Sequence, residues 1–222
     1  MRALLFKEWI KLRPWLALLV VGHLTFAVWF FLSMRQEFRV EHAEIIFHQA
    51  SRIGRLFYDD LRYVPLVTGA LLGVAQFLPE VSRGRLRLAM HLPVPLGALM
   101  AGHLALGLAA LLVLLAFDLG ALAVTVGVFF PAPFVASAVA TALPWMLAGV
   151  AAYLGAALVL LEPVRWRQAL NLVVVGGVIW LCHLSNAYGA YDLALPGLVL
   201  LTVLIAPAAL LAAARFRDGA VS

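Results

Sequence analysis

Charge is scarce in this 222-residue chain: 12% of its residues are charged and 65% are hydrophobic. An ordinary soluble domain is about a quarter charged and about half apolar. The balance therefore excludes a soluble core, and with a mean hydropathy of +1.03 it points to an integral membrane protein. No stretch between the apolar runs is long enough for an independent soluble unit, so the expectation is one transmembrane domain over 1–222. Lysine is nearly absent, with only Lys7 and Lys11 among 16 basic residues. G-x-x-x-x-G-K-[ST], the cradle for nucleotide phosphates, does not occur, so ATP hydrolysis by that mechanism is not expected in this chain. H-E-x-x-H and G-x-S-x-G are missing too, and no catalytic residue is assigned. The single cysteine, Cys182, has no internal disulfide partner and no Cys or His at ligand spacing. His42 and His48 do not share a helical face, so no metal site is expected.

What is present is a series of apolar runs interrupted by arginine clusters. Residues 1–13 read as an amphipathic helix, with Leu5, Trp9 and Leu12 on one face and Lys7, Glu8 and Lys11 on the other. A basic helix bearing Trp in that pattern either lies in the headgroup plane or is a positively charged flank that fixes topology. Pro14 then opens a first span over 15–32, retained because no small-x-small cleavage site follows it. Residues 35–62 form the largest polar segment, an external amphipathic stretch. Its apolar face is Ala43, Ile46, Ala50, Ile53 and Phe57, and its polar stripe is Glu44, His48 and Arg52.

Five further spans are expected, at about 63–78, 96–117, 134–161, 169–183 and 193–214. Pro79 closes the second. Asp118 and Gly120 interrupt the third, so that either it ends near Asp118 or one long helix continues to Pro131. Eleven Lys and Arg flank one side of this six-span layout, against five on the other. The excess places both termini in the cytoplasm, and the clustering beside apolar runs reads as membrane orientation and anionic-lipid contact, not nucleic-acid binding. Ionisable groups inside spans are costly and so are functional candidates. His23, His103 and His183 are the candidates for a substrate path, and Asp118 stands at a span end.

The stretch around which the chain is organised is 80–96, E-V-S-R-G-R-L-R-L-A-M-H-L-P-V-P-L, on the cytoplasmic side between spans two and three. Prolines on both sides restrict the backbone there. The order of basic amphipathic helix, span, outer segment, span, E-x-x-x-G-R-L-R-L-x-x-H-L-P-V-P and span resembles the permease subunit of ABC-2 type (type V) exporters. The resemblance implies that 80–95 is a cytoplasmic coupling helix, with Glu80, Arg83, Gly84, Arg85, Arg87, His91 and Pro93 as contacts to a separate ATPase subunit.

It further implies two permease and two ATPase subunits in a bacterial inner membrane, with ATP and magnesium held by the partner. The implied work is export of a lipid-like, peptide or drug-like substrate by alternating access. Arg83 and Arg87, one turn apart, would pair with acids on the ATPase, while Val81, Leu88 and Leu92 pack inward. A lower-ranked resemblance is to the haem-exporter permease of cytochrome c maturation. An alternative from another class is an intramembrane cofactor-binding protein using His23, His103 and His183.

Overall fold

A computed structural model describes residues 2–82 and 95–218, with side chains for 6–82 and 95–217. The described residues form helices joined by short loops and turns, with no strand among them. The long helices are α1 (Arg2–Val40), α3 (Tyr63–Ser82), α4 (Leu96–Phe129), α5 (Ala132–Leu161), α6 (Arg165–Cys182) and α7 (Leu195–Asp218). Between α1 and α3 lie a short α2 (Ala43–His48), a π-helical turn (Gln49–Ile53) and a 3-10 turn (Asp59–Arg62). Five helices are long and apolar enough to cross a membrane: Phe6–Val40, Asp59–Ser82, Leu96–Phe129, Ala132–Leu161 and Leu195–Arg217. The chain is thus a multi-pass membrane protein. The expected fifth span corresponds to α6, which is not among those five; its 18 residues open with Arg165-Trp166-Arg167-Gln168.

Several helices are longer than their sequence signals. No break separates residues 1–13 from the first span, because Pro14 lies inside α1. Pro79 likewise does not close α3, which runs three residues further, to Ser82. Proline deletes one backbone bond but is tolerated in membrane helices, where neighbouring groups satisfy the freed carbonyl. Of the two outcomes for Asp118, the continuous one holds. Helix α4 runs unbroken for 34 residues, about 51 Å by helix rise, against a hydrocarbon core of about 30 Å. The outer segment is not one helix to Arg62: Gly54 adopts φ +74° and turns the chain out after Ile53, and a 3-10 turn follows at Asp59–Arg62. Ile46 and Ala50 of its apolar face are buried, whereas Ile53 is exposed.

Helix α5 is the core. In its most apolar window 67% of residues are buried, against 17% for α1 at the periphery. Helix α3 lies on α5 across a glycine seam. A Cβ on Gly69 would overlap the Gly149 carbonyl, and one on Gly149 would come within 2.6 Å of the Pro65 carbonyl oxygen. Small residues that let backbones approach are the usual basis of helix packing where lipid replaces water and removes the hydrophobic drive.

Side-chain partners stack the bundle in three layers. At one end Glu8, Gln76, Glu80, His103 and Tyr153 meet; in the middle His23 meets Thr68 and Asp118. At the other end Phe38, Phe47, Phe57 and Phe134 surround Phe130, with centroids 5.3–5.8 Å from it. Chain order through these layers shows that α1 and α4 run one way and α3 and α5 the other. Near the aromatic end, burial raises the Tyr58 and Tyr188 hydroxyls above their ordinary pKa, which keeps both neutral.

Candidate functional site

The first polar layer is built where α1 crosses the end of α3. Gln76 and Glu80, one turn apart on α3, point at Glu8 and Lys11, three residues apart on α1. Lys11 Nζ lies 2.7 Å from Glu8 Oε2 and 3.3 Å from Glu80 Oε1, and it donates to the Gln76 carbonyl at 3.0 Å. Lys7 Nζ reaches Glu80 Oε2 at 3.3 Å. Both carboxylates are buried, Glu8 fully and Glu80 to 2% exposure. Two acids and two lysines balance in formal charge, which is the condition for burying any of them.

The layer extends to two further helices. His103 Nδ1 on α4 lies 3.2 Å from Glu8 Oε2, and Gln76 Nε2 donates to the His103 carbonyl at 2.8 Å. Tyr153 on α5 donates to Gln76 Oε1 at 2.8 Å. Gly107 makes room for that last bond, since a Cβ there would overlap both Gln76 Oε1 and the Tyr153 hydroxyl. One connected set of hydrogen bonds and ion pairs therefore joins four helices close to Ser82, the last described residue of α3.

The first helical turns depart from the amphipathic expectation, because the polar face turns inward while the apolar face is split. Glu8 and Leu12 are buried and Lys11 nearly so, while Trp9 is 49% exposed and Lys7 reaches inward from a half-exposed position. The polar face packs on α3 because Gln76 and Glu80 offer it partners that lipid cannot. The Leu5 side chain lies outside the described ones. So do Arg83, Gly84, Arg85, Arg87, His91 and Pro93, which fall in 83–94; of the expected coupling contacts only Glu80 is described.

The three membrane histidines do not converge. His103 belongs to the first layer. His23 is in the middle layer, with Nδ1 2.7 Å from Asp118 Oδ1 and Nε2 2.9 Å from Thr68 Oγ1. His183 follows α6, with its ring nitrogens 2.9 Å from the Ile179 carbonyl and 3.0 Å from the Arg62 carbonyl. Among the described residues no three His, Cys, Asp or Glu gather in a way that would hold a metal.

Asp118, expected at a span end, is 2% exposed inside α4, and its Oδ2 has no hydrogen-bond partner among the described residues. Sequence reading named His23, His103 and Asp118 but not the polar partners Thr68, Gln76 and Tyr153. The available signal was that each is a polar residue inside an apolar run, which has to find a partner. A separate pair, Glu162 and Arg215, ties the end of α5 to α7 at 2.5 Å. No protein-family model, curated protein or solved structure matches the chain.

Proposed function

We propose that this protein is the transmembrane permease subunit of an ATP-driven exporter. A separate ATPase acts through residues 80–95 to switch the helices between inward- and outward-open arrangements. In this reading α6 counts as a sixth span, the arginine excess holds both termini in the cytoplasm of a bacterial inner membrane, and two permease chains assemble with two ATPase subunits. The substrate is lipid-like, peptide or drug-like.

The observation that carries the reading is the clamp on Glu80. A cytoplasmic segment that receives a push has to be mechanically continuous with the spans. Glu80, at the head of this segment, is held by Lys7 and Lys11, and through Gln76 it connects to α4 and α5. A displacement at 83–94 is thus passed to four helices through short polar contacts, which hold their geometry better than apolar contacts do.

The test is purification from the native membrane in mild detergent, comparing the natural chain with Arg83→Glu/Arg87→Glu. The expected result is co-purification of a nucleotide-hydrolysing subunit with the natural chain and its loss from the double variant, with membrane insertion intact. A chain that emerges alone, or a double variant that retains its ATPase, refutes the reading.

A further inference from the structure

A cavity of about 240 Å³ opens where the outer segment, the first turns of α5 and the loop after α6 meet, lined by Ala50, Ser51, Pro133, Phe134, Ser137 and Tyr188. It shares Ala50, Phe134 and Tyr188 with a narrow chamber of about 10 Å³ that reaches Phe57, Tyr58 and Phe130. A chamber of that size holds one water or one hydroxyl. On α1 the exposed Arg13 and Arg35 bracket the apolar run about 33 Å apart, close to the depth of a hydrocarbon core, and Phe38 of the aromatic layer follows Arg35. The cavity therefore lies at the membrane surface remote from Glu80, and its mouth, at the exposed Ser51 and Ser137, faces water.

Tyr58, 4% exposed, lines the chamber, and its hydroxyl has no hydrogen-bond partner among the described residues. The neighbouring hydroxyls are engaged elsewhere: Thr141 donates to the Ser137 carbonyl at 2.7 Å, and Tyr188 to the Arg55 carbonyl at 3.4 Å. A buried hydroxyl without a partner is costly, and it takes a partner of either sense, since it both donates and accepts. Among the described residues no Lys, Arg, His, Asp or Glu lines either space, and Arg55, stacked over Phe57, is already paired with Glu37. Burial keeps Tyr58 and Tyr188 neutral. A charged ligand finds no counterion here, whereas the rings of Phe134 and Tyr188 offer faces and edges to an aromatic one.

We propose that this cavity binds a neutral aromatic molecule carrying one small oxygen group, a hydroxyl or a carbonyl. Its ring lies against Phe134 and Tyr188, and its oxygen enters the chamber to pair with Tyr58. The volume is below the about 300–1,000 Å³ of sites for drug-sized ligands, which limits the body to one or two rings. The mouth faces water, so removal of the ring from water drives binding. The site does not rest on the ATP-driven reading, because it requires this chain alone.

The test uses the full chain in phosphatidylcholine nanodiscs, without any ATPase, and reads protection of a thiol at the mouth. In a Cys182→Ala background, Ser137→Cys is modified by a maleimide in the presence of 2-naphthol, 2-methylnaphthalene or decahydro-2-naphthol. Protection by 2-naphthol is expected to be slow to wash in only if the cavity is closed, and in all cases to saturate. Decahydro-2-naphthol, with the hydroxyl but no aromatic ring, is expected to protect about fivefold more weakly.

Tyr58→Phe separates binding from folding and from partition into the bilayer. It removes only the hydroxyl, so the melting temperature is expected to hold, while the preference for 2-naphthol over 2-methylnaphthalene is expected to fall about tenfold, the value of one buried hydrogen bond. Partition of the two ligands cancels in that comparison. Absence of saturable protection, equal protection by the aromatic and saturated alcohols, or a preference unchanged in Tyr58→Phe overturns the proposal. A large drop in melting temperature in Tyr58→Phe overturns it too, since the hydroxyl would then be paired within the chain.

Discussion

Lys11 and Glu80 face each other at 3.3 Å across 69 residues of sequence, and the same ammonium also holds Glu8 at 2.7 Å. One lysine, 16% exposed, thereby serves two buried carboxylates on different helices. Removing either side leaves a buried charge without its counterpart, and that penalty exceeds the net worth of the pair.

Glu80→Gln is therefore expected to destabilise the protein by about 2 kcal/mol, toward the low end for a broken buried pair because Lys7 is half exposed. Combined with Lys11→Met, the loss is expected to be smaller than the sum of the two single losses. Denaturation in mixed micelles, followed by circular dichroism, reads both. Strict additivity would show that the contact contributes nothing.

The glycine seam makes a contrast between two positions. Gly69→Ala forces α3 away from the Gly149 carbonyl and is expected to cost about 3 kcal/mol. Gly22→Ala, whose new methyl meets open space, is expected to be neutral or to stabilise by up to about 1 kcal/mol through helix propensity. Melting temperatures of the two purified variants, measured side by side, test the pair.

Cys182 is fully buried. A maleimide is expected to leave it unmodified in the native protein and to label it stoichiometrically after denaturation. Mass measurement of the intact chain reads the outcome, and rapid native labelling would show that the contact of α6 with the core opens.

Cys182→Ala then gives a background for topology. With α6 as a sixth span, single cysteines at Val164 and Asn186 react with a membrane-impermeant maleimide from opposite faces. If α6 does not cross, both react from one face. Labelling of intact cells against inverted vesicles distinguishes the two.

Composition sufficed for the membrane class, because 65% hydrophobic content admits little else. The helix ends were less legible. Pro14 and Pro79 are breakers by local rule, yet both lie inside unbroken helices, as proline is tolerated in membrane helices. The amphipathicity of residues 1–13 was visible, but its direction was not. Whether Lys and Glu turn to solvent or inward depends on what α3 presents, and Gln76 and Glu80 are 65 and more residues away.

The same holds for Asp118, which reads as a span end until His23, 95 residues earlier, is found beside it. Local periodicity carries no information about such pairings. A rule that every polar residue inside an apolar run needs a partner would have flagged Thr68, Gln76 and Tyr153 of the two polar layers beside His23 and His103. It would not have matched them.

Helix α1 is fastened at both extremities and loosely covered between them. Lys11 is gripped by carboxylates, and Phe38 is wedged between Phe129 and Phe130. The two anchor points lie about 40 Å apart along an unbroken helix. With His23 bonded between them as a fulcrum, the helix has the proportions of a lever. A tilt of a few degrees about His23 moves each end by an ångström or more in opposite directions. Loosening the carboxylate grip on one side of the membrane would therefore disturb the phenylalanine packing on the other without any change in the length of the helix.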